Sequence, residues 1–327
     1  MNSIKDFPIQ TGKHCATTAL SEIMKFNGYN LSEPMILGIS NALNFIYLNP
    51  FHEQYSRLVF TRSPMLEYDF FKNIGMNFKW HKDSPLDYQK ITEYIDKNIP
   101  ILALTDPSKL DFFDVSIPSA ASHTLTIIGY DTTDRSLKIS DMIGNQVFSC
   151  DYESFCEAMK IKKTPFYVSN IWGVVENIDI SQSMEELILK GMKSNAFKML
   201  QPATHHSGIA AIVKLREELS MWAYLNNYRF LCAHVYSSIE KIGTGGSGFR
   251  NLYIKFLKEA SMITSEMDMT GLINKKIHVA SLYKDISKYF YLESRDNGKS
   301  YIPQIQQLLS NLIEEEHKFW EEVSNSI

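Results

Sequence analysis

An α+β domain followed by an all-helical domain is the fold class the sequence predicts, and three observations predict it. Up to about Val175, short runs rich in β-branched and aromatic residues are bounded by Pro, Gly, Asp and Asn. Amphipathic stretches interrupt those runs, the first directly after Cys15. Beyond "ENIDISQS" the texture changes, and apolar residues recur every three or four positions over long segments. The expected domains are residues 1–176 and 177–327.

The elements follow in order. In "TGKHCATTALSEIMKFNGYNLSE" the residues Ala16, Ala19, Leu20, Ile23 and Met24 share one helical face, and Asn27-Gly28 supplies the stop. "IPILALTD" (99–106), "HTLTIIGYD" (123–131), "SLKISD" (136–141) and "FYVSNIWGVVE" (166–176) read as strands. Four later segments read as helices: "SMEELILKGMKSNAFKML", "IAAIVKLREELSMWAYLNNYRFLCAHVYSSIEKIG", "FRNLYIKFLKEASMI" and "IPQIQQLLSNLIEEEHKFWEEV". Ser183, with Glu185 and Glu186 close behind, marks a helix start, and Gly243 marks a stop.

Composition narrows the function classes. The 327 residues are 44% hydrophobic and 21% charged, as in a globular protein with a sizeable core. A net charge of -4 provides no basic footprint for nucleic acid. There is no apolar run of membrane-spanning length, and "MNSIKDFPIQ" does not look like a secretory signal. The four scattered cysteines, Cys15, Cys150, Cys156 and Cys232, make no disulfide framework, so a cytoplasmic protein is expected.

Cys15 stands at a helix start, where unpaired N–H groups and the helix dipole favour an anion and lower a thiol pKa. A working thiol also needs a base. His14 is adjacent in sequence, but neighbouring side chains at a helix start diverge. His205-His206 has no companion of metal-ligand spacing, and His52, His81, His234, His278 and His317 have no chemical company. His123 opens a strand, and a polar turn, "DTTDRS", leads back through "LKISD". Pairing about Thr132 or Thr133 sets Asp141 opposite His123 or within two positions of it. Cys15, His123 and Asp141 are thus candidate nucleophile, base and orienting acid. No metal site and no nucleotide motif accompanies them.

The order and setting of these three residues resemble the papain-like cysteine-peptidase fold. More narrowly, the segment from Thr11 through "LSEPMILGISNALNFIY", with "ASHTLTIIGYD" and "LKISD", resembles the butirosin-biosynthesis protein H family. "IEKIGTGGSGFRNLYIKFLKEA" resembles the helical domain that accompanies it. The resemblance implies a papain-like catalytic domain followed by a helical domain covering the active site. It also implies an acyltransferase that takes an acyl group from the phosphopantetheine arm of an acyl or peptidyl carrier protein. Cys15 would be acylated, His123 would act as base and acid, Asp141 would orient it, and an amine acceptor would receive the acyl group in antibiotic biosynthesis. No bound cofactor is implied. The family's fold places a Gln six residues before the cysteine for the oxyanion; Gln10 stands five before it, and the Cys15 backbone N–H is the other donor.

Further positions admit two readings each. "GTGGSGFR" is either a tight loop between helices or a close backbone approach to substrate, with Arg250 pairing a carboxylate or the carrier's phosphate. Asp106 either holds a substrate ammonium or caps the turn at Pro107. Glu33 reads as a capping or local ion-pair partner. Phe45, Tyr47, Phe51 and Tyr55 line an acyl channel or fill a core, and Lys160, Lys162 and Lys163 meet an acidic carrier or simply face solvent. A peptidase or amidase on the same fold and a non-catalytic carrier-binding module are the rival functions. The long helices leave homodimerisation open.

Overall fold

The computed structural model describes residues 2–51, 54–113, 122–161, 168–264, 267 and 269–327. His52, Lys162 and Lys163 lie outside the described residues, as does the start of the 166–176 run. The strands are β1 (Asn2–Ser3), β2 (Leu43–Leu48), β3 (Leu58–Arg62), β4 (Ile101–Thr105), β5 (His123–Asp131), β6 (Ser136–Ser140), β7 (Phe148–Asp151), β8 (Lys160–Ile161), β9 (Val168–Ser169) and β10 (Trp172–Val174). The helices are α1 (Cys15–Phe26), α2 (Glu33–Ile39), α3 (Leu66–Asn73), α4 (Tyr88–Asp96), α5 (Tyr152–Ala158), α6 (Met184–Leu200), α7 (Gly208–Glu218), α8 (Tyr228–Glu240), α9 (Arg250–Ala260), α10 (Met269–Arg295) and α11 (Ile302–Ser326). They gather into two compact units, Met1–Ile36 with Ile74–Ser181, and Leu37–Asn73 with Gln182–Ile327.

The first unit is built on an antiparallel sheet of order β10-β4-β5-β6-β7. β5 is buried from His123 to Tyr130, which explains its nearly unbroken apolar run. β4 pairs with β5 only as far as Ile127, and β1 takes the edge beyond, at Gly129 and Tyr130. α1 packs on β5. Its Leu20, Ile23 and Met24 are fully buried, each such side chain contributing about 1.5–3 kcal/mol. The run read as one strand over 166–176 divides into β9 and β10 around Asn170, which has positive φ.

The second unit is helical, but it also holds the β2–β3 hairpin. A boundary at 176/177 would leave residues 37–73 in the first domain; the structure puts them in the second unit. The physical reason is burial. Phe45, Tyr47 and Val59 share a core with Trp222, Tyr283 and Leu309. The side-chain amide of Asn195 on α6 satisfies both the N–H and the carbonyl of Leu43, as a neighbouring strand would. Phe45 and Tyr47 are therefore core residues; Tyr55 packs on Phe230 and His234, and Phe51 projects into solvent.

α6 starts where the sequence predicts, with a reciprocal capping box between Ser183 and Glu186. The 209–243 stretch is not one helix: a 3₁₀ segment at Leu219–Tyr224 separates α7 from α8. α10 is an addition that the sequence reading lacks.

The glycine loop before α9 carries positive φ at Gly245, Gly246, Ser247, Gly248 and Phe249. At Gly248 a Cβ would come 2.8 Å from Thr61 Cγ2, so only glycine lets the loop pass β3. An anion already sits against this loop, because the Glu240 carboxylate accepts the Ser247 N–H. The reading of the loop as a helix stop and restart holds.

Arg250 is likewise committed internally. It is fully buried, donates to the carbonyls of Asn44, Thr61 and Gly248, and forms an ion pair with Glu316 at 2.8 Å. Glu316 also pairs with the buried Lys276 at 2.8 Å. Burial works against charge on Glu316, yet the two cations hold its carboxyl down to about 2. Arg250 therefore has no free face for a substrate carboxylate or a phosphate, contrary to the sequence expectation.

Candidate active site

Cys15 is the first residue of α1, and the preceding segment is fixed by a single carboxylate. Glu33 accepts the backbone N–H groups of Lys13 (2.9 Å) and His14 (3.1 Å) and the hydroxyls of Thr17 (2.7 Å) and Thr18 (3.0 Å). His14 is the N-cap, its Nδ1 accepting the Thr17 N–H at 3.3 Å. Among the described residues the N–H groups of Cys15 and Ala16 have no acceptor, so these first-turn amides remain directed at whatever binds there. Gly12 is required by the close approach of this segment to α1, since a Cβ would fall 1.8 Å from Thr18 Oγ1.

His123 begins β5 and Asp141 follows the last residue of β6. The ladder pairs Thr126 with Ser140, and an irregularity near Ile128 sets that register. Asp141 consequently comes next to Leu125 and diagonal to His123, within the two positions expected. The contact is direct: His123 Nε2 lies 2.6 Å from Asp141 Oδ2, and both side chains are at least nine-tenths buried. Asp141 Oδ1 accepts the Ile143 N–H at 3.2 Å, which fixes the carboxylate plane. With Nε2 held by Asp141, Nδ1 is the ring nitrogen left for Cys15.

Cys15 and His123 each change the other's protonation. Burial pushes the Cys15 thiol up, but the neighbouring His14 and His123 outweigh it and leave the thiol well below its usual range. Burial pulls His123 down, but its bonds to Asp141 and Cys15 and their negative charge raise it to about 10. Both shifts favour a thiolate beside an imidazolium.

Glu22 is the site residue that sequence reasoning missed. It lies two turns along α1 from Cys15, accepts the Gln10 N–H (2.9 Å) and the Ser140 hydroxyl (2.8 Å), and is almost fully buried. Burial raises its carboxyl to about 7, against the pull of those two bonds and with help from nearby Asp141 and Glu33. The amphipathic pattern hid it: Glu22 falls outside the Ala16–Ala19–Leu20–Ile23–Met24 face, yet α1 is buried on every side from Ala16 to Met24.

The remaining expected residues are not drawn into this cluster. Gln10 reaches it through its backbone, and its half-exposed side chain forms no hydrogen bond among the described residues. The Asp106 carboxylate accepts from the N–H and hydroxyl of Ser108, so the turn-capping reading holds. A cavity of about 290 Å³ in the first unit is lined by other residues, including His81 stacked on Trp172 at 4.0 Å. Among the described residues no group of three or more His, Cys, Asp or Glu is arranged to hold a metal ion, and no helix is long and apolar enough to cross a membrane.

Residues 153–323 match the family model described as a domain of unknown function, DUF4872, and residues 14–142 match that of butirosin biosynthesis protein H, N-terminal. A solved structure of a C39-like peptidase from Bacillus anthracis is similar at 14% identity and a TM-score of 0.38, over 55% of this chain and 100% of that one. No curated protein matches the chain. The DUF4872 model spans more than half of the chain, so the chain belongs to the DUF4872 family, and its residues 14–142 are similar to the N-terminal domain of butirosin biosynthesis protein H.

Proposed function

We propose that the protein is a cysteine-dependent acyltransferase that forms an amide during antibiotic biosynthesis, taking its acyl group from a carrier-protein thioester. The observation that carries the reading is the buried His123–Asp141 pair, together with a Cys15 thiol at the start of α1 that the neighbouring His14 and His123 hold well below its usual range. The butirosin name of the matching N-terminal family supports the biosynthetic setting.

In this mechanism the Cys15 thiolate attacks the thioester carbonyl. The C–S bond to Cys15 forms as the bond to the phosphopantetheine sulfur breaks, and that sulfur leaves with the proton from His123. The oxyanion between these steps lies against the free N–H of Cys15, the position where a fixed donor has most effect. A bound amine then attacks the acyl-Cys15 carbonyl, neutral His123 accepts its proton, and the Cys15 thiolate departs. Exchange between two thioesters is nearly isoenergetic, so the direction is set by amide formation. The amine must outcompete water at ~55 M, which binding achieves readily, since effective molarities of ~10⁵ M and more are attainable.

The test is intact-protein mass spectrometry after mixing with an acylated carrier protein. Wild type should gain the acyl mass, Cys15→Ala should not, and a millimolar amine should discharge the adduct as amide. A Cys15→Ala variant with full turnover would overturn the mechanism, and discharge to free acid whatever amine is supplied would replace transfer by hydrolysis.

A further inference from the structure

Resting on the acyl-transfer reading, we propose that an open aromatic strip beside His123 binds the acyl group and selects an apolar, preferably aromatic, one. The Phe113 ring lies 4.8 Å from the His123 ring, Phe112 packs on Phe113, and Phe112 stacks on Phe148 at 4.8 Å. The Phe148 ring covers Gly144, where a Cβ would come within 3.0 Å of it. Val147 and Ile143 flank it, 47% and 40% exposed.

Both ends of the strip are attached to the candidate catalytic groups. Phe113 touches the base itself, and Ile143 donates its N–H to the Asp141 oxygen that does not face His123. An acyl group whose carbonyl sits at Cys15 therefore has an apolar surface adjoining the base. The acceptor amine is a poorer occupant. An amine needs a hydrogen-bond acceptor, whereas among the described residues beside His123, Asp141 is held by His123 and Asp106 by Ser108.

The experiment compares acetyl- with phenylacetyl-N-acetylcysteamine as donors in single-turnover acylation of Cys15, followed by mass spectrometry. The Cys15–S–acyl bond forms as the donor thioester bond breaks, releasing N-acetylcysteamine. Wild type should favour phenylacetyl at least about tenfold, as a matched apolar pocket does. Val147→Asp and Val147→Ser, at an exposed position, should bring the ratio close to one while the rate of alkylation by iodoacetamide stays unchanged. Equal wild-type rates, or a preference that survives both variants, would overturn the strip and leave acyl transfer standing. Failure of either thioester to acylate a Cys15 that iodoacetamide still alkylates would overturn both.

Discussion

The imidazole of His123 and the carboxylate of Asp141 meet at 2.6 Å although they come from neighbouring strands whose paired register ends one residue short of the acid. The pair governs the thiol. With Cys15 held well below its usual range and His123 raised to about 10, the thiolate–imidazolium form spans the interval between them. Iodoacetamide alkylation of Cys15 should therefore stay fast as pH falls below the ordinary thiol value of ~8.5. His123→Ala should move its midpoint upward, and turnover in wild type should decline again as pH rises through about 10. A pH–rate profile of alkylation by mass spectrometry checks the first two, and a turnover profile checks the third.

Glu22 should make the protein less stable toward alkaline pH. Its folded pKa, about 7, lies above the ordinary 4.5, so its stabilising share is complete below 4.5 and is lost as pH rises through about 7. Glu22→Gln keeps an acceptor for Gln10 and Ser140 without the charge. Urea unfolding should show a wild-type loss of up to about 3 kcal/mol across that window that is absent from the variant.

The ionic cluster in the helical unit should be asymmetric to mutation. Glu316→Leu leaves Arg250 and Lys276 buried without a counter-charge and should cost about 3–5 kcal/mol. Lys276→Met leaves a neutral Arg250–Glu316 pair, and methionine suits the rings of Phe319 and Trp320 that lie 3.9 and 4.4 Å from the ammonium. Its cost should be below about 1.5 kcal/mol. Chemical denaturation of the two variants separates these outcomes.

Gly12→Ala should be disproportionately damaging for a single methyl group. Its Cβ would overlap the Thr18 hydroxyl that Glu33 holds, so the segment before Cys15 must move. The expected result is at least a tenfold loss in alkylation rate at neutral pH, comparable to the effect of displacing a reacting group by an ångström. A double variant with Thr18→Ala should recover part of that rate.

Much of this was legible beforehand, for identifiable reasons. β5 matches its predicted limits because the polar turn "DTTDRS" closes a run rich in β-branched residues, and hairpin geometry then located Asp141. α6 announced itself through Ser183 and Glu186. α10 was obscured by Gly271 and by Lys275-Lys276, of which the second turns inward to Glu316. Arg250 looked available because its partner lies 66 positions away, and no local pattern shows a contact of that kind. The β2–β3 hairpin was hidden because its Phe45, Tyr47 and Val59 pack against helices formed far later in the sequence. Glu33 was legible as a local partner, but its fourfold grip was not, since that depends on how a loop folds back.

The Arg250 junction also bears on how the chain is made. The hairpin that it grips leaves the ribosome early, while Glu316, which keeps that guanidinium in place, is among the late residues to emerge. For most of translation Phe45 and Tyr47 therefore wait without their cover, so nascent chains should depend on chaperones. A fragment stopped at Ser181 should aggregate through those aromatic side chains even though the sheet carrying His123 is complete within it.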